Sequence, residues 1–120
     1  MADIARVNLP KNGVPLIDMN ANHMTAADAA GDKAVNAKGM ILIAHNTSGA
    51  PRTVTVSSVE DDFGRTENVV MGPIADGDFA VAGPFRGRGF NQAGADRGKI
   101  AWTYDTETGV KVIALVVGEG

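Results

Sequence analysis

The chain contains no cysteine, only two histidines and only six aromatic residues among its 120 residues. The absence of cysteine excludes a disulfide framework and any thiolate metal site. No apolar run approaches the roughly 20 residues that a membrane-spanning helix needs. Residues 1–10 lack the long apolar core of a cleaved signal peptide. We therefore expect a protein that is made in a cytoplasm, is not exported by a cleaved signal and has no membrane partner.

The length and the charge of the chain narrow its class further. A chain of 120 residues corresponds to one domain. A domain of this size buries only about two thirds of its unfolded surface, so association with other copies or with a larger surface would add stability. The net charge of −3 is modest and does not favour bulk nucleic-acid binding.

The apolar residues are dominated by β-branched side chains. Valine occurs 13 times and isoleucine 7 times, against 4 leucines. Branched side chains pack well on a pleated sheet and lose rotamer freedom in a helix. The 15 glycines fall mostly between the apolar segments, where turns are expected. This composition predicts many short strands joined by glycine-containing turns.

Six segments have the pattern of strands: residues 40–45, 52–59, 67–71, 79–82, 99–104 and 110–117. Residues 40–45 are apolar on both faces, whereas residues 52–59 alternate, and we predict that these two segments form a hairpin. Residues 99–104 and 110–117 are predicted to form a second antiparallel hairpin, with Trp102 buried in the core.

The sequence therefore predicts an all-β fold. We expect a single antiparallel β-sandwich or jelly-roll-like barrel of about six to eight short strands with an extended N-terminal arm. Residues 1–39 would form the arm and the first strand, and residues 40–120 the sandwich core, in one domain overall. Within the arm, residues 14–19 resemble a strand. Residues 25–31 fit either one helical turn or an extended segment.

The last strand has two apolar faces. Ile113, Leu115 and Val117 lie on the face opposite Val112 and Ala114. If one row fills the core, the other needs a cover, because a strand of a lone sandwich usually has one polar face. That cover is either the N-terminal arm or another subunit. Ile113, Leu115 and Val117 are therefore the candidate oligomer-interface residues.

Catalytic and metal-binding patterns are missing from the sequence. Only two residues could serve as the usual catalytic base: His23, in a polar stretch, and His45, at the end of a strand beside a turn. We expect neither histidine to have a catalytic role. The carboxylates of residues 60–62 and 76–78 lack the spacing of an EF-hand loop. We expect no enzyme activity, no cofactor and no metal site.

One loop differs in charge from the rest of this acidic protein. Residues 86–98 contain four glycines, and the segment through Lys99 has a net charge of +3. It has neither the Lys-Ser/Thr ending of a P-loop nor a helix after it. A short Arg-Gly stretch with interleaved phenylalanines is a weak nucleic-acid signal. We expect instead docking on an acidic protein surface, with Arg86, Arg88, Arg97 and Lys99 as the candidate docking residues. The first 20 residues are a competing docking element.

Several segments follow one another in a characteristic order and spacing. These are residues 29–33 (Ala-Ala-Gly-Asp-Lys), 45–49 (His-Asn-Thr-Ser-Gly), 53–56 (Thr-Val-Thr-Val), 72–85 (ending in Gly-Pro-Phe), 90–91 (Phe-Asn), 99–104 and 110–117. In this order and spacing the chain resembles, from about residue 8 to the end, a family of small virion proteins of tailed phages. The arginine- and glycine-rich loop departs from the family pattern.

The resemblance implies a β-sandwich that decorates, or cements, the outer surface of a phage head shell. It implies the major capsid protein as partner, a virion location on the capsid surface after synthesis in the host cytoplasm, and no catalytic residues. It also suggests a homo-oligomer, with a trimer expected because capsid lattices offer three-fold positions. The alternatives are a tail or head–tail joining structural protein, and a carbohydrate-binding β-sandwich module of a host-recognition device.

Overall fold

The computed structural model describes residues 2–4, 6–8, 24–37, 39–58, 68–85, 90–92 and 97–116. These residues form ten β-strands, of which seven have four or more residues. The strands are β1 (Ala2–Asp3), β2 (Arg6–Asn8), β3 (Thr25–Ala26), β4 (Asp32–Val35), β5 (Met40–Asn46), β6 (Arg52–Val56), β7 (Val69–Ile74), β8 (Phe79–Ala82), β9 (Lys99–Tyr104) and β10 (Val110–Val116). The predicted all-β class is confirmed. The segment predicted at residues 14–19 lies outside the described residues.

The strands are arranged in two sheets. The first sheet has the order β1-β4-β9-β6-β7, and the second has the order β2-β10-β5-β8, with β3 also paired to β10. Strands β4 to β10 pair antiparallel with one another. Strands β1 and β2 join β4 and β10 in parallel. The result is a β-sandwich in which only the N-terminal strands break the antiparallel pattern.

The main core lies between the two sheets and follows the period-two pattern of the sequence. In β5 alternate residues are buried from Met40 to Asn46, and in β6 Val54 and Val56 are fully buried. Trp102 is also fully buried, as the sequence predicts. Side chains from both sheets join in one cluster, so the core links the sheets rather than lying under one of them.

The N-terminal strands are built into both sheets. Strand β1 pairs with β4 at an edge of the first sheet, and β2 pairs with β10 in the second. Thr25 and Ala26 form β3, so the helical alternative for residues 25–31 is wrong and the extended one fits. The turn after β3 is closed by the Gly31 amide, which donates to the Asp28 carbonyl oxygen at 2.8 Å.

Neither of the two predicted hairpins forms. Strand β5 lies in the second sheet and β6 in the first, and β9 lies in the first sheet and β10 in the second. Each short connection therefore crosses from one sheet to the other. The patterns of the strands were predicted correctly, but their partners were not.

Buried Asn46 explains why the chain leaves the second sheet after β5. Its side-chain amide Nδ2 donates to the carbonyl oxygens of Ala50 at 2.7 Å and Ile74 at 2.8 Å, and its Oδ1 accepts from the Ser48 amide at 2.9 Å. These bonds tie the turn after β5 to the end of β7 in the first sheet. A tight hairpin back along β5 would leave these buried groups without partners.

The two crossing turns pack directly on each other. The Thr47 amide donates to the Gly109 carbonyl oxygen at 2.9 Å. Gly109 has a φ of 78°, and a Cβ atom at this position would lie 2.5 Å from the Cα atom of Ser48. Glycine is needed here both for its left-handed conformation and for the close approach of the two turns.

Candidate docking surfaces

Of the predicted basic loop, the structure describes residues 90–92, 97 and 98. Arg86 and Arg88 lie outside the described residues. Arg97 is exposed, and the half-buried Lys99 places its Nζ atom 2.8 Å from Oδ1 of Asp3. The ammonium group of Lys99, hydrogen-bonded to Asp3, lowers the pKa of that carboxyl group below its ordinary value. One of the predicted docking cations is therefore already paired within the chain.

Hydrogen bonds from Asn36 hold the ends of this loop against the sandwich. The Asn36 amide donates to the Gly98 carbonyl oxygen at 2.9 Å. Its side-chain Nδ2 donates to the carbonyl oxygen of Phe85 at 3.1 Å and to Oδ1 of Asn91 at 2.7 Å. Asn36 directly follows β4, so the loop is tied to the edge region of the first sheet.

The beginning of the chain meets the loop at this same place. Strand β1 pairs with β4, and the amide of buried Ile4 donates to the Lys33 carbonyl oxygen at 2.8 Å. The described parts of the two docking elements predicted from the sequence are therefore neighbours. We call this surface the basic corner, defined by Asp3, Lys33, Val35, Arg97 and Lys99; Val35 is 48% exposed within it.

Two phenylalanines, Phe85 and Phe90, lie on either side of residues 86–89 at the start of the loop. Phe85 is buried, and Phe90 is half-buried and packs edge-on against it, with ring centroids 5.3 Å apart. Rings that pack on the core cannot serve as open platforms for stacking nucleic-acid bases. The packing of these rings therefore gives no support to the nucleic-acid interpretation of the loop.

No family model, no curated protein and no solved structure matches the chain.

The outward face of the second sheet carries the candidate oligomer-interface residues. Ile113 and Leu115 are 1% and 5% exposed, and they form a second cluster with buried Met24. Val7 of β2 packs against this cluster. The N-terminal segments of the same chain thus cover this row, and neither side chain can reach a second copy while they stay in place. Val117 lies outside the described residues.

On the same outward face of the second sheet, the apolar side chains are more exposed to solvent toward β8. Ile43 is half-buried and lies opposite Val81 of β8, which is 61% exposed. In the next row, His45 stacks on Phe79 with ring centroids 3.9 Å apart, and Phe79 is 51% exposed. This histidine, one of the two weighed as a catalytic base, therefore contributes a flat ring to an apolar surface. His23 lies outside the described residues.

The acidic turns have no metal-binding geometry where they are described. Asp76 and Asp78 are exposed in the turn between β7 and β8, and Oδ1 of Asp76 accepts from the Gly49 amide at 3.0 Å. No group of three metal-ligating side chains occurs among the described residues. The carboxylates of residues 60–62 lie outside them. Within the same ranges, no helix is long and apolar enough to cross a membrane.

A shallow pocket of about 270 Å³ lies beside the crossing turns. It is lined by Ala26, Ala27, Thr47, Glu107 and residues 108–111. Sugar-binding sites commonly use an exposed aromatic ring as a platform, but this lining contains none, and Trp102 is fully buried. The pocket gives no support to the carbohydrate-binding alternative.

A buried polar network that sequence reasoning missed joins β4 to β9. Nε1 of Trp102 donates to the Tyr104 hydroxyl oxygen at 2.8 Å, and that hydroxyl donates to Oδ2 of Asp32. The Asp28 amide also donates to this oxygen, at 3.2 Å. Asp32 is fully buried and lies opposite Trp102 in the sheet register. The network fixes the turn after β3 to the core strand β9.

The environment of Tyr104 predicts an unusual titration. Burial, followed by the hydrogen bond to Asp32, raises the pKa of the Tyr104 hydroxyl well above its ordinary value of about 10. Tyr104 is the only tyrosine, so absorbance near 295 nm reports on it alone. We expect no phenolate signal in the folded protein as the pH rises through 10 to 11, whereas the urea-unfolded chain should titrate near 10.

The same shift implies a loss of stability at alkaline pH. The folded state keeps the Tyr104 proton after the unfolded state has lost it, so this contribution is complete below about pH 10 and declines above it. The decline is at most about 1.4 kcal/mol per pH unit for one proton. Tyr104→Phe should remove this dependence in urea-unfolding experiments at pH 9 to 11. A normal tyrosine titration in the folded protein would contradict the burial of the hydroxyl.

Proposed function

We propose that this protein is a decoration protein that binds the outer surface of a tailed-phage head shell and stabilises it. The resemblance of the sequence to small tailed-phage virion proteins is one support. The observation that carries the proposal is the basic corner, where the first strand and the basic loop come together. The proposed partner is the major capsid protein, and the proposed role is structural rather than catalytic.

The geometry of the basic corner suits an acidic protein surface. Arg97 is exposed and can present its planar guanidinium group to a carboxylate in a bidentate manner. Exposed Val35 offers an apolar contact beside it. The loop ends are held by Asn36 and the first strand by β4, so little ordering is needed there on binding. Such preorganisation lowers the entropic cost of association.

Stabilisation of the shell would follow from mass action. A ligand that binds only the assembled lattice shifts the equilibrium toward that lattice. At a free concentration 100 times Kd, the shift amounts to about 2.7 kcal/mol per bound site. Many sites per shell would make this contribution large without any change in the capsid protein itself.

Binding to undecorated shells tests the proposal. We expect Arg88/Arg97→Ala to weaken binding about 5- to 30-fold, because each partly exposed ion pair contributes about 0.5–1 kcal/mol. Added salt should weaken wild-type binding in the same direction. Binding can be measured by cosedimentation with purified shells over a range of protein concentrations.

A control variant with the same net charge as Arg88/Arg97→Ala tests whether the loss of binding depends on the position of the removed charges. Arg52/Lys111→Ala also removes two positive charges, from strands outside the basic corner, and should bind as wild type does. Arg97 belongs to the basic corner and Arg88 to the same basic loop in the sequence. Equal binding by wild type and Arg88/Arg97→Ala, at both low and high salt, would therefore argue against both the loop and the corner as the contact. Copy number in the particle separates the alternatives, since hundreds of copies fit decoration whereas about a dozen or fewer fit a tail or joining role.

A further inference from the structure

In the part of the chain that the structure describes, strand β8 is a sheet edge without the usual protection. It has the sequence Phe-Ala-Val-Ala, without a charged residue, and among the described residues only β5 pairs with it. Natural proteins usually protect an edge strand with charge, proline, a bulge or a cover, because its open hydrogen-bonding groups invite pairing. The other edges have such protection. Strand β7 contains Pro73, β1 has two residues, and the outer side of β10 is filled by β2 and β3.

The backbone groups that face the open edge can be identified. The Asn46 amide donates to the Asp78 carbonyl oxygen at 3.1 Å. Backbone groups of successive residues in an antiparallel pair face opposite edges. Those of Ala80 and Ala82 therefore face β5, and those of Phe79 and Val81 face the open side. The exposed apolar side chains of Phe79 and Val81 belong to the same residues.

We infer that β8 pairs antiparallel with β8 of a second copy of this chain across a two-fold axis. Residues directly opposite in an antiparallel pair point to the same face of the sheet. In one register, both residues whose backbone groups face the open side, Phe79 and Val81, find a partner that points to the same face of the sheet. This register places Ala80 opposite Ala80 of the second copy, and Phe79 opposite Val81 of the second copy. The axis then generates two hydrogen-bonded Phe79–Val81 pairs, each an aromatic side chain beside a β-branched one.

The surroundings of β8 favour a second copy over another partner. In this register Asp78 lies opposite Ala82 of the second copy, so carboxylates do not face each other. The outward apolar row would run without a break from Ile43 through Val81 to Phe79 and His45 of the second copy. A head-to-tail contact of β8 with β10 is blocked, because β2 and β3 occupy that edge. A two-fold β8–β8 contact, in contrast, closes with two copies and needs no other edge.

Two valine variants test the contact, which does not depend on the proposed binding to a shell. Val81 and Val70 are both 61% exposed, but Val70 lies on β7 of the other sheet. We expect sedimentation velocity to show a concentration-dependent dimer for wild type and Val70→Glu. Val81→Glu should weaken dimerisation at least about tenfold. Each apolar Phe79–Val81 pair would receive one charge, and the two like charges would lie diagonally across the two-fold axis. Thermal unfolding by circular dichroism confirms that both variants fold.

Single cysteines test the register, because the chain has no cysteine of its own. In the proposed register Ala80 lies opposite its symmetry copy as a non-hydrogen-bonded pair, with Cβ atoms about 4.5–5.5 Å apart, close to disulfide geometry. Ala80→Cys should form a disulfide dimer under mild oxidation. Val81→Cys would be separated diagonally by about 7–8 Å and should form less, and Val70→Cys should give only background cross-linking.

The outcomes that would overturn the inference are specific. A wild-type monomer at all concentrations, or a trimer that Val81→Glu leaves intact, would exclude the β8–β8 dimer. Faster cross-linking of Val81→Cys than of Ala80→Cys would exclude the register centred on Ala80. Loss of shell binding by Arg88/Arg97→Ala bears only on the proposed function, because those residues are not in β8.

Discussion

Replacing Trp102 with alanine is expected to lower the free energy of unfolding by about 3–5 kcal/mol, the range for truncating a large buried aromatic side chain. Trp102 is fully buried in the main core, and its neighbours in the sheet register are Asp32 of β4 and Val56 of β6. Its loss leaves a cavity between the two sheets and removes the donor to the Tyr104 hydroxyl. A small domain has only about 5–15 kcal/mol of stability in total.

Urea unfolding followed by circular dichroism measures this effect. Trp102→Phe should cost less than Trp102→Ala, because it keeps most of the volume and loses mainly the hydrogen bond to Tyr104. Thr103→Ala changes an exposed neighbour on the same strand and should lie within about 0.5 kcal/mol of wild type. Trp102 is the only tryptophan. Fluorescence typical of a solvent-exposed indole in the folded wild-type protein would contradict its burial.

The burial of Trp102 could be predicted because it depends on a local pattern. Ile100, Trp102 and Tyr104 alternate with smaller residues, and period-two alternation specifies which face of a strand is apolar. The alternation predicted for residues 52–59 likewise agrees with the burial of Val54 and Val56. The sequence could therefore predict the strands and their buried faces, because the alternation of a strand depends on only a few neighbouring residues.

Such local patterns could not predict which strands pair with one another. A strand with one apolar face shows the same alternation whether its neighbour in sequence joins its own sheet or the opposite one. The deciding contacts after β5 join Asn46 to Ile74, and those after β9 bring Gly109 onto Thr47. Both span long stretches of chain. The short turns after β5 and β9 were therefore interpreted as hairpin turns, although each connects a strand of one sheet to a strand of the other.

The candidate surfaces were predictable only in part, for the same reason. The charge of the loop ending at Lys99 is visible in the sequence, but its ion pair with Asp3 joins residues at opposite ends of the chain. The link from Asp32 to Tyr104 likewise spans most of the fold. The only available signal for that network was Asp32 itself, whose neighbours Gly31 and Lys33 give no indication of burial. It gained meaning only when the register placed it opposite Trp102.

Because the N-terminal segments cover the outward face of β10, a charge placed on that face should have the second large effect on the free energy of unfolding. Ile113→Lys should lower the free energy of unfolding by about 3–5 kcal/mol, the range for a buried charge without a partner. Ile113 is 1% exposed, and it packs with Met24 and Leu115 on the outward face of the second sheet. The strands β2 and β3, which border this cluster, are short, and among the described residues they pair only with β10. The N-terminal segments should therefore detach before the main core opens.

Hydrogen exchange can distinguish this local release from general unfolding. In Ile113→Lys, amides that bond across the β3–β10 junction, such as that of Ala27 to the Val110 carbonyl oxygen, should exchange faster, while those between β6 and β9 stay protected. Ile113→Val, which keeps an apolar side chain, should cost only about 0.5–1.5 kcal/mol and leave the exchange pattern unchanged. If Ile113→Lys instead dissociated an oligomer while the Ala27 amide kept its protection, this row would be a subunit interface, and the N-terminal segments would not be its cover.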